Sequence, residues 1–203
     1  MLDEIAVWRS VQEVVFETRL EFATEKILSE VKSILPKKRL IILTGFESAN
    51  PRIRDVVLYK RESLEDFSRG LDVLGELQYD LTAYVLYKPD PDMTDEEADD
   101  DALESIGWLV RETQRRAIPL SIRLNLMYVA VGTAWARELN LATYRPPSLG
   151  RALAIAQRTT QHGIECYVGL SSEGLSDERL TYRVREDFNR DLLRQAIQFN
   201  LDQ

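Results

Sequence analysis

Cysteine and histidine are nearly absent from this sequence, which has one of each in 203 residues. Cys166 alone cannot form a disulfide within the chain, and Cys166 with His162 cannot complete a zinc site. No apolar run approaches the roughly 20 residues of a membrane-spanning helix, and the N-terminus is acidic where a secretory leader is basic. We therefore expect a soluble cytoplasmic protein with no bound metal, no cofactor and no membrane partner.

Negative charge is concentrated in one segment. The formal net charge is −8, but residues 90–104 hold nine acidic residues and no basic one, which leaves 25 acidic against 26 basic residues elsewhere. Apolar residues make up 44% and charged residues 30%, a composition typical of globular rather than disordered proteins. The length predicts a single α/β domain over residues 1–203.

The N-terminal segment, residues 1–35, has the pattern of a long helix. Residues 2–35 contain no glycine or proline, and apolar residues recur at helical spacing until Pro36 ends the pattern. An unbroken helix of this length would measure about 50 Å, more than the roughly 33 Å expected for the diameter of such a domain. We expect it to break or to project from the body.

The remaining pattern alternates strands and helices. Strands are predicted at 40–43, 55–60, 81–88 and 164–170, and helices at 63–77, 94–117, 149–161 and from 186 onward. Residues 89–101 form an acidic loop and a helix cap, because Thr94 and Glu97 have the spacing of a capping box. Segments 120–131 and 177–185 fit either a strand or a helix. The order predicts an α/β or α+β fold, with a mixed sheet of about four to six strands flanked by helices.

Metal and catalytic motifs are incomplete. An EF-hand-like frame at Asp90, Asp92, Thr94 and Asp101 lacks the glycine and the final glutamate that calcium loops use. The order of elements resembles the PD-(D/E)xK nuclease core, and Asp55 fits its first acidic ligand, but Leu86 stands where a second acid must hold the metal. We therefore predict no catalytic residues.

Two repeated strand ends form a candidate ligand site. Both predicted strands finish in Val-Leu-Tyr-Lys, at Tyr59-Lys60 and at Tyr87-Lys88, and the lysines could bind a small anionic ligand. The alternative is two neighbouring strands whose lysines extend to solvent.

A second candidate site is an interaction surface of two opposite charges. Its basic side is a row of arginines on the last helix, and its acidic side is the start of the helix after Thr94. The basic residues are Arg179, Arg183, Arg190 and Arg194; the acidic ones are Asp95, Glu96, Asp99 and Asp100. Solvated faces with pairing inside each helix explain the same residues.

The leading functional interpretation is a non-catalytic regulatory or assembly domain that acts through a protein partner or through self-association as a homo-oligomer. The first alternative is a cytoplasmic sensor of a small anionic ligand. The second is a divergent metal-dependent nuclease. Nucleic acid is not an expected partner under the leading interpretation.

Overall fold

The computed structural model describes residues 2–130, 132–139, 144–170, 181–182 and 189–203. The strands are β1 (Glu13–Glu17), β2 (Arg39–Glu47), β3 (Asp80–Tyr87), β4 (Leu120–Leu126), β5 (Val129–Ala130), β6 (Glu165–Gly169) and β7 (Thr181–Tyr182). The helices are α1 (Leu2–Val7), α2 (Glu25–Ile34), α3 (Leu64–Leu77), α4 (Asp95–Gln114), α5 (Ala134–Glu138), α6 (Leu149–Gln161) and α7 (Arg190–Leu201). A 3₁₀ turn at Leu20–Phe22 and a π-helical turn at Ile53–Val57 lie in connections.

Five strands form one sheet in the order β1-β2-β3-β4-β6, and all four neighbouring pairs are parallel. This spatial order repeats the chain order, so each crossover steps in the same direction and, being right-handed, places its helix on the same face. The strands β5 and β7 form a separate antiparallel pair. The predicted α/β class and strand number are confirmed, although the sheet is wholly parallel rather than mixed.

The two faces of the sheet differ in character. Alternate residues such as Ile42, Val85 and Ile122 are completely buried in the core against the helices. The opposite face, called the inner face below, has a cavity of about 330 Å³ lined by strand residues that include Glu13, Arg39, Asp80, Arg123 and Tyr167. The lining of this cavity contains no residue of a described helix.

The prediction of one long N-terminal helix is wrong. Residues 1–35 contain α1, the edge strand β1, the 3₁₀ turn and α2. Val14 and Phe16 alternate with Glu13, Val15 and Glu17, and this period of two lets β1 pair with β2 in parallel register while burying one side. Thr24 then caps α2 by accepting a hydrogen bond from the backbone N–H of Ile27.

The strand predicted at 55–60 is also wrong, because the chain forms the π-helical turn Ile53–Val57 there. Arg54 is 1% exposed and donates hydrogen bonds to the carbonyl oxygens of Phe46, Ser48 and Glu62, which fixes this segment as a compact turn. By contrast, residues 120–126 form a strand. Of residues 177–185, Thr181–Tyr182 is a strand, and the others lie outside the described residues.

Within the described ranges, none of the helices has both the length and the apolar character that crossing a bilayer requires.

Candidate functional site at the carboxyl edge of the sheet

The carboxyl ends of all five parallel strands meet at one edge of the sheet, called the carboxyl edge below. Ligands of parallel α/β sheets and barrels bind at this edge, because loops and strand ends from several elements converge there. Four non-glycine residues at or near it have positive φ: Glu47, Tyr59, Arg61 and Lys88. Such backbone conformations are sparsely populated and cluster at functional sites.

Glu47 and Lys60 meet over Gly45 on the inner face. A Cβ added to Gly45 would collide with Oε1 of Glu47 and lie 3.7 Å from Nζ of Lys60. Nζ of Lys60 also lies 2.5 Å from the carbonyl oxygen of Gly45 and 3.4 Å from a carboxylate oxygen of Glu62. The absence of a side chain at position 45 therefore leaves the space that the Glu47 carboxylate occupies, and a larger residue there would displace that carboxylate.

The electrostatics of this pair suit proton transfer. Burial raises the pKa of the Glu47 carboxyl, and the positive charges of Lys60 and Arg54 partly offset that rise. A carboxylate with a raised pKa beside an ammonium group can accept a proton from a substrate and hold developing negative charge.

Asn125 and Gly169 repeat the same arrangement on neighbouring strands. They are partners in the register of β4 and β6, and a Cβ on Gly169 would collide with Oδ1 of Asn125. Two strand-end glycines thus each make room for a polar side chain on the inner face.

A buried ion pair supports the Glu47–Lys60 arrangement from behind. Arg54 and Glu62 are each 1% exposed and lie 3.2 Å apart, and one oxygen of Glu62 has no partner among the described residues. Because Glu62 contacts both Arg54 and Lys60, it fixes the lysine relative to the end of β2.

The two predicted Tyr-Lys pairs do not share one arrangement. Tyr59 is 71% exposed, whereas Tyr87 is buried and donates a hydrogen bond to Asp99. Lys60 lies beside Glu62, and Lys88 lies 3.5 Å from Asp95. Both lysines therefore neutralise carboxylates of this chain.

The acidic half of the predicted interaction surface also has partners within the chain. Arg151 of α6 binds Asp99 at 2.7 Å and Glu96 at 3.1 Å. Asp100 is exposed and lines a cavity. A basic residue in the first turn of a helix interacts unfavourably with the helix dipole, so Arg151 in the first turn of α6 indicates an acidic partner elsewhere in the fold. The prediction missed this indication.

The basic half is described only in part. Arg190 lies at the start of α7, and Arg194 pairs with Asp191 on the same helix at 3.0 Å. Arg179 and Arg183 lie outside the described residues. No described contact joins Arg190 or Arg194 to the acidic residues of α4.

Three cavities adjoin the loop between β3 and α4, and Asp92 lines all of them. The first, about 530 Å³, lies between Lys88 and Tyr144. The second, about 450 Å³, contains Asp100, Asp101 and Glu104. The third, about 290 Å³, lies between Tyr59 and Trp135. Among the described residues, no group of three or more histidine, cysteine or acidic residues has the arrangement of a metal site.

Comparison with known proteins adds relatives but no family. No protein-family model matches the chain. It is 26% identical over 151 residues to the archaeosine synthase subunit beta of Thermococcus kodakarensis, a match that covers 74% of the chain. It is also 26% identical over 150 residues, 73% of the chain, to the archaeosine synthase subunit beta of Methanosarcina acetivorans. An uncharacterised protein of Methanocaldococcus jannaschii is 25% identical over 87% of the chain.

The chain spans less than half the length of these relatives, since the matches cover 44%, 46% and 41% of them. Among solved structures, the fold resembles D-psicose 3-epimerase from Clostridium cellulolyticum, crystallised with D-tagatose. The TM-score is 0.51 at 11% identity, over 82% of this chain and 56% of the epimerase. The likeness is to a barrel-like fold of the TIM type and concerns the fold alone.

These relatives overturn the leading functional interpretation. A non-catalytic regulatory or assembly domain is wrong, because relatives over about three quarters of the chain are named as subunits of a synthase. The two alternatives, a sensor of a small anionic ligand and a divergent nuclease, also disagree with relatives that are named as synthase subunits.

Proposed function

We propose that this chain is part of an enzyme that modifies a nucleoside in RNA, similar to archaeosine synthase subunit beta, and that its substrate site is the carboxyl edge. Archaeosine is a modified nucleoside of transfer RNA. The observation that carries the proposal is the similarity to two synthase subunits of that name, over 74% and 73% of the chain.

The geometry of the carboxyl edge supports an enzymatic role. Glu47 acts as the proton acceptor, because its pKa is raised and its carboxylate lies on the inner face beside Lys60. Lys60 stabilises the negative charge that develops on the substrate. Asn125 orients the substrate through hydrogen bonds.

The proposal also concerns the domain organisation, the cellular location and the partners of the chain. Residues 1–203 act as one domain, in the cytoplasm, within an assembly that includes at least one other protein subunit. Transfer RNA is then a partner of this chain, whereas the sequence alone had predicted no nucleic-acid partner. Outside the acidic segment at 90–104 the charge is nearly balanced, so the phosphate backbone of the RNA lies away from that segment, while a base can extend to its edge.

Nucleoside analysis of transfer RNA tests this function. We expect deletion of the coding sequence in its host to remove archaeosine, measured by mass spectrometry of digested transfer RNA. The wild-type sequence restores it. Glu47→Gln lowers the initial rate of restoration about 100-fold, the scale of a lost acid–base group.

The matched control is Glu30→Gln, which makes the same change at an exposed position on α2. This variant restores archaeosine like the wild type. An unchanged archaeosine content after deletion would contradict the proposed function, and full restoration by Glu47→Gln would contradict the role of that residue.

A further inference from the structure

We propose that the cavity between Tyr59 and Trp135 binds a planar nitrogen base that carries N–H donors and no negative charge. The inference deepens the proposed function and rests on it for the identity of the base as part of a nucleoside. The cavity lies on the carboxyl edge, where Tyr59 directly precedes Lys60 in the chain.

Tyr59 is an exposed ring on a fixed backbone. Its side chain is 71% exposed and its φ is +50°. Its neighbours are held: the N–H of Leu58 donates to Ile53, and the N–H of Lys60 donates to Arg54 at 2.8 Å. Arg19 also donates to the carbonyl oxygen of Lys60 at 2.9 Å. The backbone that carries the ring therefore needs no rearrangement when a ligand stacks on it.

Trp135 supplies the second aromatic wall. It lies on α5, whose first turn is capped by Thr133, and it lines the same cavity as Tyr59. Neither ring packs against another aromatic ring of the described residues. At about 290 Å³ the cavity has room for one base or nucleoside. Bases stack on such aromatic side chains in RNA-binding proteins.

The charges around the cavity select among planar ligands. Asp90, Asp92 and Glu138 line it, and none of the lysines or arginines among the described residues does. Asp90 is paired with Arg52 at 2.7 Å, whereas the Asp92 carboxylate accepts no hydrogen bond from the described residues. A carboxylate accepts hydrogen bonds from exocyclic amino groups and repels phosphate. The ligand is therefore a base with amino donors whose phosphate, if present, points away.

Equilibrium titration of the whole chain with adenosine, AMP and ribose tests the site. We expect adenosine to bind, AMP to bind more weakly because of the carboxylates, and ribose not to bind. Tyr59→Ala and Trp135→Ala each weaken adenosine binding about tenfold, as loss of one stacking partner does. Tyr59→Phe keeps the ring and most of the affinity.

Trp8→Ala is the control, since Trp8 is another exposed aromatic residue, 54% exposed, that lines no cavity described here. Circular dichroism checks the fold of each variant. Absence of adenosine binding, undiminished binding by folded Tyr59→Ala, or tighter binding of AMP than of adenosine would each overturn the inference.

Failure of the inference and failure of the proposed function give different results. If adenosine binding depends on both rings but deletion leaves archaeosine unchanged, the base site stands and the proposed function fails. If deletion removes archaeosine and adenosine does not bind, the proposed function stands and the base site fails.

Discussion

Asp101 combines burial with incomplete hydrogen bonding. It is 6% exposed; one of its oxygens accepts a hydrogen bond from Ser48 at 2.7 Å, and the other has no partner among the described residues. Burial raises the pKa of Asp101 from 3.8 to about 6, and the hydrogen bond from Ser48 partly opposes that rise. The folded state therefore takes up a proton on Asp101 at a higher pH than the unfolded state does.

Stability should accordingly depend on pH through this residue. Because the pKa is higher in the folded state, the free energy of unfolding increases as pH falls from about 6 to about 4. Relative to Asp101→Asn, which keeps an oxygen acceptor for Ser48, the wild type gains about 1 kcal/mol per pH unit in that window. Urea unfolding at pH 4.5, 5.5, 7 and 8 measures the difference.

Asp100→Asn is the control, because Asp100 is the next residue and is exposed. Its stability curve should run parallel to that of the wild type across the range. A parallel curve for Asp101→Asn as well would show that Asp101 does not titrate in this window.

At the level of elements, the packing of α3 depends on a glycine. A Cβ at Gly70 would collide with the side chain of Leu20 in the 3₁₀ turn, which is 2% exposed. In α4, a Cβ at Gly107 would meet only the end of the flexible Arg111 side chain, at 3.3 Å. The two helical glycines therefore have different reasons for their positions.

Substitution by alanine should have opposite effects on stability at Gly70 and at Gly107. Gly70→Ala lowers the free energy of unfolding by about 1–3 kcal/mol through overpacking. Gly107→Ala raises it by about 0.5–1 kcal/mol, because alanine restricts the unfolded chain and favours the helix. Urea unfolding at pH 7 compares the two variants, and equal shifts of the same sign would refute the difference in packing.

Helices with local end signals could be predicted from the sequence. The predicted capping box of Thr94 and Glu97 forms in both directions, and Ser148 caps α6 by accepting a hydrogen bond from the backbone N–H of Arg151. Gly163 has φ +79°, the left-handed conformation that glycine commonly adopts after the end of a helix. These features depend on residues three or four positions apart, which a sequence displays directly.

Elements set by distant contacts could not be predicted in this way. In β1 the alternation at Val14 and Phe16 is only a few residues long, and it lies within a longer segment whose apolar residues recur at helical spacing. The run around Val56 and Val57 favours a strand by propensity, yet the buried hydrogen bonds of Arg54 hold a π-helical turn.

Lys60 was named as a candidate ligand-binding residue, but its neighbour Glu47 was missed for the same reason. Glu47 and Lys60 meet through the path of the loop that Arg54 fixes, and no motif encodes that path. The strand was predicted to end at residue 43, whereas β2 continues to Glu47, and the glycine at position 45 within it was the available signal of a close approach.

At the scale of the whole molecule, protection of the backbone should follow the order of strands. The strands β2, β3 and β4 have partners on each side, whereas β1 and β6 are the outer strands of the described sheet. We expect amide hydrogen exchange at neutral pH to be slowest in β2, β3 and β4 and faster in β1, whose outward N–H groups have no described partner. Exchange in β1 as slow as that of Ile42 would show that another segment covers this edge.

The exposed side of β1 bears on how the protein avoids aggregation. An unpaired strand edge can accept a strand from another molecule, and Val15, 53% exposed, gives this one an apolar centre. Glu17 is exposed next to it, and Glu165 is exposed on the opposite outer strand, while Glu13 is paired with Arg39 at 2.7 Å. Charged side chains on outer strands disfavour pairing with an identical edge, so we expect these glutamates to oppose growth of the open sheet into fibrils.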